Sequence, residues 1–215
     1  MSKRMLSRLG YAGLAAGALG ALSAVVLLAW PPQVAPGPVH YPFTTTGFQI
    51  AQLWFFVHHW GLVAVLIGLA ASGAGGSGRI ARGGSWIAAV GAVGLAGAEL
   101  LAIQYANADF RQANSGLMGA AYGISCTAIG AGMVAMGIGV VRTRRWGSWH
   151  RWTPLAIGVT EFLVLTPGLF GGFVAARIVI GSWMLLFGLL GWSLRAENGA
   201  PAASESARLL STLKP

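Results

Sequence analysis

Charge is the scarcest property of this 215-residue chain. Charged residues make up 9% of it, against about 25% in a soluble globular domain. That shortage excludes an ordinary water-soluble globule, a disordered chain and a nucleic-acid-binding domain. One cysteine, Cys126, excludes an internal disulfide framework. There is no His-Glu-x-x-His spacing for zinc and no glycine-rich phosphate loop for a nucleotide. A Gly-x-Ser-x-Gly elbow for a nucleophile is missing too. No metal, no cofactor and no catalytic residue is expected.

What the chain has is apolar sequence. Hydrophobic residues account for 55%, and the mean hydropathy is +0.67. A membrane span needs about 20 mostly apolar residues. Six stretches meet that requirement: about 10–30, 50–72, 85–107, 118–141, 154–170 and 172–194. The run from Pro154 to Leu194 is too long for one crossing of a bilayer core about 30 Å thick. Thr166-Pro167-Gly168, followed by Gly171-Gly172, supplies turn residues for a reversal within it. The expected fold is all-α, a polytopic bundle of six transmembrane helices forming one domain over residues 1–195. Residues 196–215, rich in Ala, Ser and Glu, are expected to be a disordered tail.

Twelve of the fourteen basic residues fall before span one, between spans two and three, between spans four and five, or after span six. The intervening loops hold only Arg111, and Arg177 lies inside a span. Positive charge is retained in the cytoplasm during insertion, so both termini are expected there, facing anionic lipid headgroups. Span one has a basic start and an apolar core, as a signal peptide would. Its core is long, however, and Trp30-Pro31-Pro32 follows without a small-x-small cleavage site, so it reads as a retained helix.

Loop 31–49 holds five prolines and no charge, and is expected to pack over the outer end of the bundle. Segment 106–117 is the polar external loop. Gly13 with Gly17, Gly119 with Gly123, and Gly94 with Ala98 are small-xxx-small pairs that favour close helix contact. In a chain with 33 glycines such pairs also arise by chance.

Ionisable residues inside spans are costly, and five occur: His58, His59, Glu99, Glu161 and Arg177. At 1.5 Å per residue, the histidines lie about 12–14 Å below the outer edge, the acids about 10 Å and Arg177 about 8 Å. Four helices thus carry a titratable group at similar depth. Gln52 and His59, seven apart, share a helix face, while His58 points about 100° away. His59 is therefore expected to face the polar centre in preference to His58. Tyr122 and Ser125 of span four add hydroxyls.

Two accounts of this cluster compete. In the first, Arg177 pairs with Glu99 or Glu161, a histidine bonds the other acid, and the network holds the helices in register. In the second, the cluster forms a site for a small solute or for protons. Adjacent His58 and His59 cannot both ligate one ion from one helix face, and no second span offers a histidine for bis-histidine haem.

Tyr41-Pro42-Phe43-Thr44, His58-His59, Ser72-Gly73-Ala74 and Trp183-Met184-Leu185-Leu186 resemble segments of uncharacterised multi-span proteins of high-GC Gram-positive bacteria. The likeness implies a bacterial plasma-membrane location and assigns no chemistry. The sequence favours a non-enzymatic accessory subunit with a buried polar cluster. A small transporter or sensor is the alternative, and an intramembrane lipid-acting enzyme comes third. The bilayer is the expected partner; a protein partner or a homo-oligomer stays open, and nucleic acid is excluded.

Overall fold

The computed structural model describes residues 1–147 and 149–199. Six helical spans are long and apolar enough to cross a membrane. They are α1 (Lys3–Ala29), α2 (Thr45–Ser72), α3 (Arg79–Gln104), α5 (Leu117–Thr143), a composite fifth span (His150–Leu169) and α8 (Gly172–Gly199). A short helix, α4 (Phe110–Ser115), lies between α3 and α5. No strand occurs among the described residues. Large apolar side chains face outward on every span, including Val57, Val90, Ile124, Leu163 and Leu185. Such residues are at home against lipid tails, which are as apolar as they are.

The spans form a closed ring in chain order. Each packs against the next, and α8 returns to α1. Glycines set the seams. A side-chain carbon at Gly17 would lie 2.6 Å from Gly188 Cα, and one at Gly158 would lie 2.6 Å from Val134 N. Backbone approach that close requires hydrogen at these positions. The expected pair splits: Gly119 lies against the Asn114 backbone of α4, whereas a carbon at Gly123 would meet nothing within 4 Å. Gly94 does face a neighbour, Ser125.

Loops close both ends of the ring. At the end carrying the N-terminus, Arg145 donates to Gly73 O at 2.8 Å, and Thr143 Oγ1 donates to Ala74 O at 2.7 Å. At the same end Arg195 donates to Tyr11 Oη at 2.8 Å. At the opposite end the proline-rich loop lies across the bundle. Val39 N donates to Ala108 O at 3.0 Å, His40 N to Ala106 O at 3.2 Å and Phe110 N to Gly37 O at 2.8 Å. The expected packing of this loop over the bundle is present.

Three local expectations need correction. Thr166-Pro167-Gly168 is not part of the reversal and continues the fifth span as α7 (Thr166–Leu169); the reversal falls at the expected Gly171-Gly172, where Gly172 takes φ +85°. That left-handed backbone favours glycine. Before Pro167 the helix widens into a π-helical stretch, Glu161–Leu165, following α6 (Thr153–Thr160). Proline has no N–H to return to the preceding turn, and Thr166 N bonds Glu161 O instead. Segment 106–117 is not all loop, because Asp109 caps α4 by accepting from Arg111 N and Gln112 N. Finally, α8 runs to Gly199, into the segment expected as a tail. There Glu197 accepts from Gly147 N at 3.0 Å and meets His150 Nδ1 at 2.7 Å. The remainder of the expected tail lies outside the described residues.

Candidate functional site

The ring encloses a cavity of about 570 Å³, and every span contributes to its wall. It extends toward the end opposite the N-terminus, where Val39, Tyr41, Phe110 and Asn114 lie over it. Its position follows from the helix packing. α5 and the fifth span close on each other at the N-terminal end, where Gly137 meets Leu155 and Gly158 meets Val134. Toward the other end no comparable seam joins α5 to α7.

All five ionisable residues singled out from the sequence reach this cavity: His58 and His59 from α2, Glu99 from α3, Glu161 from the fifth span and Arg177 from α8. Gln52 and Tyr122 join them. Ser125 does not, because it is buried on the α3–α5 seam against Gly91 and Gly94. The expectation that only one histidine faces inward is wrong. His58 and His59 are both buried in the wall, with ring centroids 4.5 Å apart. The cavity is wide enough for two adjacent positions of α2 to line it, and Gly20 of α1 leaves room for the tip of His58.

Pairing within the site is sparse. Tyr122 Oη donates to Glu99 Oε2 at 2.8 Å. His59 Nδ1 stands 3.6 Å from Glu99 Oε1, close enough for electrostatic attraction and too long for a hydrogen bond. His58 is held by its own turn, its Nδ1 3.2 Å from Phe55 O, with Trp54 stacked beside it. The expected ion pair of Arg177 with an acid is missing: among the described residues no carboxylate lies within 4.0 Å of its guanidinium. Arg177 instead lies over the Phe173 ring at 5.1 Å, and Phe173 is held edge-on by Tyr41. Its buried Nε has no partner.

Glu161 is also unpaired. It begins the π-helical stretch, is 1% exposed, and its Oε2 has no partner. Gly130 of α5 leaves the space its side chain occupies. π-Helical turns of this kind occur often at functional sites. The only sequence signal for it was Pro167, six residues downstream.

Most of the rest of the wall is apolar. Phe48 and Phe55, Met118, Trp183 and Met184 face the cavity, and Trp183 is fixed by donating from Nε1 to Ile157 O at 3.3 Å. Cys126, the one thiol, lies in the wall beside Thr127. Among the described residues no three of His, Cys, Asp and Glu converge as metal ligands. Comparison with protein-family models, with curated proteins and with solved structures finds no match for this chain.

Proposed function

We propose that this chain is a non-enzymatic membrane protein that binds a small anionic organic molecule in its central cavity. The observation that carries this reading is Arg177 standing in the cavity wall with no carboxylate within 4.0 Å of its guanidinium. A buried carboxyl or imidazole can discharge itself by gaining or losing a proton. A guanidinium cannot. The site therefore contains one obligatory charge, and it is positive. A carboxylate or phosphate would satisfy it, and the planar guanidinium matches either group with two parallel hydrogen bonds.

The other groups fit the same role. Phe173, braced edge-on by Tyr41, holds the guanidinium from one side and leaves its edge for a ligand. Glu99, Tyr122 and His59 form a polar wall that can bond further ligand atoms. The aromatic and sulfur-bearing residues suit an apolar body. With the basic loops in the cytoplasm, the cavity lies in the outer half of the membrane and serves a carrier or a sensor of material on that side. A structural network would close on itself with direct ion pairs and leave no void; the cavity and the unpaired Arg177 count against that account.

The test is a thermal-shift titration of the purified protein with short carboxylates, phosphate monoesters and matched primary amines. Carboxylates or phosphate monoesters should raise the melting temperature of the wild type and leave Arg177→Gln unmoved. Stabilisation by amines alone, or by acids in both proteins equally, would refute the anion site.

A further inference from the structure

The outside of the ring carries a shallow groove on the lipid-facing side of α5, formed by Ala120, Gly123, Ile124, Thr127, Ala128 and Ala131. Gly123 and Thr127 also line the central cavity. Two residues one helical turn apart thus belong to both spaces. They face the stretch where α5 and α7 have no seam. On the other side of that gap Thr166 and Leu169 line the cavity, although both are exposed at the protein surface. Gly123 has nothing within 4 Å of where a side chain would begin. The wall is therefore open sideways, toward lipid, at the level of the cavity. From above, the proline-rich loop and α4 lie across the ring.

Resting on the anion reading above, we infer that the ligand is a single-chain anionic amphiphile that enters from the bilayer between α5 and α7. Its carboxylate or phosphate head meets Arg177. Its tail leaves through the window bounded by Gly123 and Thr127 on one side and by Thr166 and Leu169 on the other. An aliphatic tail crossing that window stays in apolar surroundings throughout, so no methylene has to enter water. A compact hydrophilic anion has no use for such a window.

The experiment is photo-crosslinking in phosphatidylcholine vesicles, using palmitate with a diazirine midway along its chain and mapping the labelled peptides. Label should concentrate on residues 120–127 of α5 and on the 162–170 segment. Unlabelled palmitate or a single-chain lysophosphatidate at about ten times its Kd should cut that label about tenfold. Whichever of the two competes better identifies a carboxylate or a phosphate head. Hexadecanol, which has the tail without the charge, should leave the label in place, as should butanoate at the same concentration as the palmitate competitor, since it has the head without the tail. Arg177→Gln should abolish the specific label. Gly123→Phe, which fills open space, should abolish it too, and Thr127→Phe gives a second way to block the window.

Label spread evenly over lipid-facing helices and unchanged by Arg177→Gln would overturn the proposal. So would palmitate label that persists in both window variants. If the vesicle arms fail while a short carboxylate still stabilises the wild type and not Arg177→Gln, the anion site stands and lateral entry is wrong. If the short acids fail as well, both are wrong.

Discussion

Replacing Arg177 by methionine should make the empty protein more stable, which is the opposite of what a helix-holding charge would do. The buried Nε has no partner, and an unsatisfied buried donor costs about 1–3 kcal/mol. A charged residue at the centre of a span costs about 2.5–3.5 kcal/mol on insertion scales, and less toward the interface where Arg177 lies. Against this stand the contact with Phe173 at 5.1 Å, worth about 0.5–2 kcal/mol, and a longer-range attraction to Glu99 beyond 4.0 Å. Methionine keeps most of the apolar stem. The balance favours Arg177→Met by about 1 kcal/mol, a rise in melting temperature of about 2–4 °C for a chain of this size. Tryptophan fluorescence during heating in detergent, with no added acid, reads the change directly. A structural network predicts the reverse, because breaking it strands an acid and loses about 0.6–2 kcal/mol per interhelical contact. A fall of 2 °C or more would refute the reasoning from an unpaired guanidinium.

Other outcomes follow from particular contacts. Gly17→Ala should prevent normal accumulation, since the new carbon would lie 2.6 Å from Gly188 Cα. Gly188→Ala, on the same seam, should be tolerated, because its nearest neighbour stands at 3.8 Å; quantitative blotting of membranes compares the two. Tyr122→Phe removes the hydroxyl that donates to Glu99 Oε2 at 2.8 Å, and should lower unfolding free energy by about 0.6–1.7 kcal/mol in a denaturant titration. Asp109→Ala removes the cap of α4 and should speed protease cleavage within 106–116, at a cost of about 1 kcal/mol.

The spans were legible because a bilayer imposes a length and a composition that leave little freedom. That the five ionisable residues reach one cavity was legible for a related reason: helical rise is fixed, so distance from a span end converts into height along the bundle. The contacts between them were not. Arg177 and Glu99 share a height, but whether they touch depends on how far apart α3 and α8 stand across the ring. The helix order was hidden because its seams rest on glycine, and a chain with 33 glycines marks too many candidate faces. Gly123 illustrates this, having the spacing of a packing residue with Gly119 and lining a cavity instead. Phase arguments for His58 failed because they assumed a narrow polar stripe, and the cavity spans more of α2 than that. The π-helical turn at Glu161 follows from Pro167, but proline more often ends or kinks a helix than widens it.

Native mass spectrometry of the protein released directly from its own membrane tests the central claim, that the cavity is a ligand site built around Arg177. The wild type should carry a bound mass that fragments to a carboxylate or phosphate, and Arg177→Met should arrive without it at the same abundance. An identical spectrum from both proteins, whether bare or loaded, would contradict the account.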